Sequence, residues 1–218
     1  GFDQGGADDS VARMAEALRG LDGAYSLVAA IGDTMVAARD PRGWRPLVMG
    51  RLNGAVVFAS ETCALDIVGA VAEREVGPGE IITVDAGGVQ IIQALEPMQQ
   101  RKCVFEFVYF ARPDSRVFGG SVDRARRALG RQLAKEHPAP TADLVFSVPD
   151  SSNSAALGFA EVSGLPYELA LIRNHYIGRT FIQPTQAGRD AKVKVKYNPV
   201  REVIDGKSVV MVDDSIVR

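Results

Sequence analysis

Between Gly23 and Gln93 the apolar positions come in short runs, "AYSLVAAI", "TMVAARD", "AVVFAS", "EIITVDA" and "VQIIQAL". Turn pairs separate them: Gly32-Asp33, Asn53-Gly54 and Gly87-Gly88. Runs of this kind predict strands, and connections this short predict hairpins in an antiparallel sheet. Ahead of them, residues 9–20 place Val11, Met14, Ala15 and Leu18 at helical spacing. This predicts one amphipathic helix, with Asp9 or Ser10 as its N-cap and Gly20 as its stop.

After Pro97 the rhythm changes. Strand-like runs "CVFEFVYF", "DLVFSVPD", "YELALI" and "SVVMVDD" alternate with helix-sized segments, one from about Ser121 to His137 and one from about Ser154. Strand–helix alternation predicts right-handed βαβ units and a mostly parallel sheet. The polar, Pro-bearing segment "EPMQQRK" lies at the change, so the expected division is residues 1–100 and 101–218.

Composition narrows the function classes. The chain is 46% hydrophobic, enough for one sizeable core or two small ones. Twenty-five basic residues nearly balance 27 acidic ones, and a net charge of -2 offers no field to gather nucleic acid or an anionic membrane surface. No apolar run approaches the roughly 18 to 20 residues that cross a bilayer, and the start "GFDQGGADDS" lacks the features of a signal peptide. It also lacks Met, so the chain is expected to begin downstream of its gene product's first residue. Cys63 and Cys103 are far apart and in no CxxC spacing, which points to a reducing, cytoplasmic setting.

Ligands of open parallel sheets bind at the carboxyl ends of strands, and three stretches fit that position. In "VVMVDDSIVR" an apolar run ends at Asp213, Asp214 and Ser215, groups able to take sugar hydroxyls or help hold Mg²⁺. They would serve equally as the cap of a following helix. In "VFSVPDSSNSAALGF", Ser151 and Ser152 precede a small-residue helix whose first N–H groups suit a pyrophosphate, though an ordinary N-cap reads the same way. The basic stretch "RNHYIGRTFIQPTQAGRDAKVKVKYNPVR" embeds Phe181 and Ile182 among charges, as a loop that closes over a phosphate-bearing substrate would; otherwise it is a solvated face. Together the three describe a site for a phosphorylated sugar.

"CVFEFVYFARPDS", "VPDSSNSAALGFA", "GLPYELALIRNHYIGRTFIQPTQ" and "VVMVDDSIVR", in this order and spacing, resemble the amidophosphoribosyltransferase family. Upstream, "DGAYSLV", "ARDPRGWRPLVMG" and "ASETCALDIVGA" resemble the later part of that family's glutaminase domain. The resemblance implies an α/β fold: the latter part of an N-terminal-nucleophile glutaminase sandwich, then the first part of a type I phosphoribosyltransferase parallel-sheet domain. It implies that ammonia released from glutamine attacks C1 of phosphoribosyl pyrophosphate, giving 5-phosphoribosylamine, pyrophosphate and glutamate in the first step of purine biosynthesis. The family's Mg²⁺ ligands fall on Ser151, Asp213 and Asp214. Ser152 and Ser215 join them around the substrate, and Arg179, Gln183, Gln186, Arg189 and Lys196 are the expected lid contacts. Cys103 stands where some members have one of four ligands of a [4Fe-4S] cluster and others a Cys without one, and an ordinary buried Cys is the favoured reading; Cys63 reads as packing. "FARPDS" suggests domain positioning or the ammonia path. Purine nucleotides are the implied feedback inhibitors, and the full-length protein is expected to form a homo-oligomer.

Three departures qualify the resemblance. The nucleophilic N-terminal Cys is absent, with Gly1 first, and the Gly-Thr-Thr phosphate loop that follows Arg218 in the family is missing. The chain is therefore expected to be an internal fragment, catalytically incomplete. His175 replaces the Arg of the family's motif, a shorter and mostly neutral group at pH 7. Against the enzyme stands a non-catalytic phosphoribosyl-binding regulator, which a glutaminase half disfavours; a salvage transferase for free nucleobases would lack that half altogether.

Overall fold

The computed structural model of the chain describes residues 5–175 and 195–216. These divide into two units, Gly1–Glu106 with Asp114–Gly120 and Phe107–Pro113 with Ser121–Arg218.

In the first unit β1 (Ser26–Ile31) and β2 (Thr34–Arg39) form a hairpin across Gly32-Asp33, as the turn pair predicts. β3 (Val48–Leu52) and β4 (Ala55–Ala59) form another across Asn53-Gly54, where both residues have positive φ (49° and 88°), the conformation a two-residue type I′ turn requires. Helix α2 (Thr62–Val68) leads to β5 (Val71–Glu75), and β6 (Glu80–Asp85) pairs with β7 (Gly88–Gln93). The result is two antiparallel sheets, ordered β1-β2-β6-β7 and β4-β3-β5. Val36, Ala38 and Ile81 face Ala15 and Leu18 of α1 (Gly5–Arg19), while Ala37 and Ile82 face Leu47, Met49 and Val76. Strand β2 is thus covered on both faces, so consecutive residues, not alternate ones, are buried. Helix α1 begins at Gly5, which corrects the expected cap: Asp9 and Ser10 lie inside the helix, and Gly20 follows its end.

Strands β3 and β5 escape the apolar pattern because they carry Arg51, Glu73 and Arg74. Gly50 explains their pairing: a Cβ there would lie 2.6 Å from the Val71 carbonyl oxygen, so only glycine permits this approach.

The run "CVFEFVYF" corrects a second expectation. It forms no strand; Glu106–Phe110 makes a wide helical turn. Its composition is β-type, but no strand among the described residues pairs with it, and Phe105, Tyr109 and Phe110 are about half exposed. Glu106 is buried and ion-paired with Arg45 at 2.6 Å, an anchor that the apolar pattern does not encode. Burial raises the Glu106 pKa despite the opposing pull of Arg45. The short stretches β8 (Arg116–Val117) and β9 (Gly120–Ser121) follow.

In the second unit α3 (Val122–Glu136) starts where expected, with Ser121 Oγ accepting the Arg124 N–H. It packs on α4 (Asn153–Ser163) at backbone distance. A Cβ on Gly130 would stand 1.8 Å from the Ala155 carbonyl oxygen, and one on Gly158 2.1 Å from that of Arg127. Behind the helices β10 (Leu144–Ser147) runs parallel to β13 (Val209–Val212), with Tyr167 bridged in parallel to Val145 on the other side. Beside this parallel arrangement, β11 (Leu171–Arg173) and β12 (Tyr197–Pro199) pair antiparallel, so "YELALI" supplies one bridge and one hairpin strand.

Candidate functional site

The register of β10 on β13 pairs Ser147 with Val212, which brings two strand exits to one level. From the first exit the chain turns through Val148–Ser152, with a cis Pro149–Asp150 peptide, into α4. From the second it delivers Asp213 and Asp214 directly. The Val148 N–H donates to the Val212 carbonyl at 2.9 Å, fixing the two exits together.

Ser152 is fully buried, and its hydroxyl makes no cap bond to α4. It donates instead to Asp213 Oδ1 at 3.2 Å, which also accepts the Asp214 N–H at 2.8 Å. Ser215 Oγ donates to Asp214 Oδ1 at 2.8 Å. Asp214 Oδ2 is buried and has no hydrogen-bond partner among the described residues. Ser151, Ser152, Asp213 and Asp214 line one cavity of about 270 Å³, walled on its other side by Arg126, Leu129 and Leu133 of α3. The acid pair and the serine pair, 61 residues apart, therefore form one site.

A second set of contacts holds the loop from the β11–β12 hairpin. Arg173 Nη1 meets Asp150 Oδ2 at 2.7 Å, and the Tyr197 hydroxyl donates to the Pro149 carbonyl at 3.2 Å. Beneath them Ser147 Oγ donates to Asn153 Oδ1 at 2.6 Å, with the Tyr167 hydroxyl 3.1 Å away. On the helix side Ser154 Oγ donates to Asp123 Oδ1 at 2.6 Å and so ties the start of α4 to α3. Burial alone would raise the Asp123 pKa, but the bonds from Ser154 and Arg127 outweigh it and hold the pKa below the ordinary value.

No family model matches the chain. Among curated relatives it is 54% identical over 207 residues to "Amidophosphoribosyltransferase 1, chloroplastic" of Arabidopsis thaliana, covering 94% of this chain and 36% of that one. It is 50% identical over 198 residues to the amidophosphoribosyltransferase of Bacillus subtilis, covering 91% and 41%. The chain is similar to part of the amidophosphoribosyltransferases. A solved glutamine phosphoribosylpyrophosphate amidotransferase from B. subtilis, complexed with ADP and GMP, superposes with a TM-score of 0.85 at 48% identity. That superposition covers 94% of this chain and 45% of the other, so the mixed α/β architecture here matches known amidotransferase structures. The chain spans roughly two fifths of the length of the curated amidophosphoribosyltransferases it matches.

Of the residues expected in an amidophosphoribosyltransferase site, Ser151, Ser152, Asp213 and Asp214 share the cavity, with Ser215 bonded to Asp214. Lys196 stands at the foot of the hairpin, its ammonium 4.9 Å from the Tyr197 ring centroid. Arg179, Gln183, Gln186 and Arg189 lie outside the described residues. His175 is exposed at the rim of a neighbouring pocket that Asp150 and Arg173 also line. Cys63 is buried at the start of α2, and Cys103 is half-buried, its N–H donated to the Trp44 carbonyl. No helix among the described residues is long and apolar enough to cross a membrane.

Sequence reasoning missed Arg126, Asp150, Arg173 and Tyr197. For Arg126 a signal existed: it falls in the stripe Val122, Arg126, Gly130, Ala134, at four-residue spacing on the buried face of α3. A charge in an otherwise small and apolar stripe marks a side chain with a dedicated set of partners.

Proposed function

We propose that the protein carrying this chain is an amidophosphoribosyltransferase, moving ammonia from glutamine to C1 of phosphoribosyl pyrophosphate at the entry to purine biosynthesis. The observation that carries the reading is the meeting of Asp213 and Asp214 with Ser151 and Ser152 on one cavity, in a chain about half identical to enzymes of that name. Residues 1–100 read as part of an N-terminal-nucleophile glutaminase domain and residues 101–218 as part of a type I phosphoribosyltransferase domain.

In this reading the carboxylates of Asp213 and Asp214 accept hydrogen bonds from the ribose hydroxyls. Ser151 and Ser152, with the N–H groups that open α4, take the pyrophosphate. The same residues suit Mg²⁺, which uses one or two carboxylates together with phosphate oxygens and waters, and the unpartnered Asp214 Oδ2 is an oxygen of the required kind. Bound there through Ser151, Asp213 and Asp214, the ion would neutralise charge on the leaving pyrophosphate. Arg179, Gln183, Gln186, Arg189 and Lys196, in the basic stretch from about residue 173 to 201, would be the lid contacts that keep water from competing with ammonia. A relative solved with ADP and GMP supports purine nucleotides as regulators, and a homo-oligomer belongs to the same reading. Cys103 is a candidate cluster ligand only in company with cysteines outside this chain. Plant relatives are named chloroplastic, so the compartment is proposed only as a reducing one.

The test is an assay of the complete gene product for pyrophosphate release that depends on phosphoribosyl pyrophosphate, with glutamine or ammonia as nitrogen source. Release with both is expected; none with either source overturns the reading.

A further inference from the structure

Arg126 is the one charged side chain of the cavity wall that is both buried, at 3% exposure, and shared between separate backbone segments. Its Nε donates to the Phe107 carbonyl at 2.8 Å and its Nη2 to the Ala111 carbonyl at 2.7 Å. Its Nη1 reaches the Ser151 carbonyl at 3.4 Å. The planar fork is therefore anchored at two short bonds on the 107–111 turn and extends its third donor to the turn that ends β10. That turn is tied in its own right to the acid pair, through Ser152 Oγ and Asp213 Oδ1.

Burying a guanidinium costs several kcal/mol in lost hydration, and an apolar side chain of similar volume would fill the same space without that cost. Packing alone does not account for the group. Its three donors have fixed relative directions, which lysine cannot reproduce. A fixed, buried positive charge at the wall of a cavity also favours an anionic ligand beside it more strongly than a surface charge would.

We propose that Arg126 is a positioning residue for the pyrophosphate-binding turn, an inference that rests on the function proposed above. Anchored on Phe107 and Ala111, it holds Ser151 and Ser152 at the level of Asp213, so that hydroxyls and carboxylates converge on the substrate before it arrives. Arg126 touches neither of the reacting atoms in this scheme. It acts through the turn, and its loss weakens binding more than turnover.

The test uses the full-length protein with Arg126→Lys and Arg126→Gln, assayed with ammonia and, separately, with glutamine as nitrogen source. In Arg126→Lys the KM for phosphoribosyl pyrophosphate is expected to rise about tenfold with kcat within about twofold, because ground-state and transition-state contacts are lost alike. The KM for glutamine should stay unchanged. Amide hydrogen exchange should quicken at residues 148–152 and remain as in the wild type in the body of α4. Wild-type KM and wild-type exchange at that turn in a folded variant would overturn the proposal. So would a parallel loss in kcat and in both KM values together with a lowered melting temperature, the mark of a residue that only supports the fold. If the wild type releases no pyrophosphate, the functional reading fails, while exchange at 148–152 still decides the positioning role. Should neither Arg126 variant fold, Ser152→Ala removes the far end of the relay without exposing a charge. Because Ser152 itself faces the pyrophosphate, the readout there is exchange alone: the same amides should quicken, and unchanged exchange at 148–152 defeats the inference.

Discussion

Two arginines, Arg39 in the first unit and Arg126 in the second, are buried to the same degree, 4% and 3% exposed, and each spreads its fork over three backbone carbonyls. Arg39 donates to Arg45, Val76 and Gly43, at 2.8, 2.6 and 3.1 Å. All three belong to turns between strands, and the Glu75 carboxylate lies 3.7 Å away with the Phe118 ring at 5.6 Å. Burial lowers the Arg39 pKa, with Glu75 and Asp40 acting against it. Arg126 places its two short bonds on one turn and its long one on a loop that lines a cavity. Equal burial therefore conceals different work: one guanidinium fastens strand connections, and the other ties a cavity-lining loop to the 107–111 turn.

The contrast breaks if the two sites respond alike. Arg39→Met, which strands three carbonyls and leaves Glu75 without its neighbour, is expected to lower stability by about 3 to 5 kcal/mol in urea denaturation. The molecules that remain folded should keep the wild-type KM for phosphoribosyl pyrophosphate. A raised KM there would mean that Arg39 also serves the cavity. Gly130→Ala comes next, because its Cβ would fall within 1.8 Å of a backbone oxygen and α3 must draw away from α4. Overpacking of this kind costs about 1 to 3 kcal/mol. Since Ser152 precedes α4, the KM should rise as well, and a variant as stable as the wild type would show that the helices have more room than the distance implies.

The smallest effect tests the anchor between those helices. The Asp123 pKa is lowered on folding, so its stabilisation is present above the unfolded carboxylate pKa and is lost as pH falls through the folded value. Its side chain is 40% exposed, which limits the effect to under about 1 kcal/mol. Compared with Asp123→Asn, the wild type should be more stable at pH 7, and the gap should close below about pH 4. Urea midpoints that run parallel across that range would remove Asp123 from the account.

The sequence announced what depends on neighbours along the chain. Asn53-Gly54 and Gly32-Asp33 marked hairpins because their backbone requirements are local, and Ser121 marked the start of α3 through a bond to Arg124 three residues on. The acids at Asp213 and Asp214 were legible because an apolar run stops at them. What stayed hidden depends on distant partners. Strand β3 is defined by a glycine fitting against Val71, Glu106 pairs with the distant Arg45, the Phe107 carbonyl takes the distant Arg126, and Arg173 meets Asp150 only once β11 has paired with β12. Periodicity registers whether a residue is apolar; it is silent on which remote carbonyl a buried guanidinium will find.

The register that sets Ser147 beside Val212 also sets a timetable. A ribosome completes the Ser151–Ser152 turn roughly sixty residues before it delivers the acids, a gap of several seconds at ordinary elongation rates. During that interval β10 waits with an unfilled edge, and closing so long a loop is a slow, non-local step. The cavity wall is thus completed only when Val209–Val212 emerges and zips against β10, and a nascent chain paused before that point has a finished serine turn with no carboxylates to face.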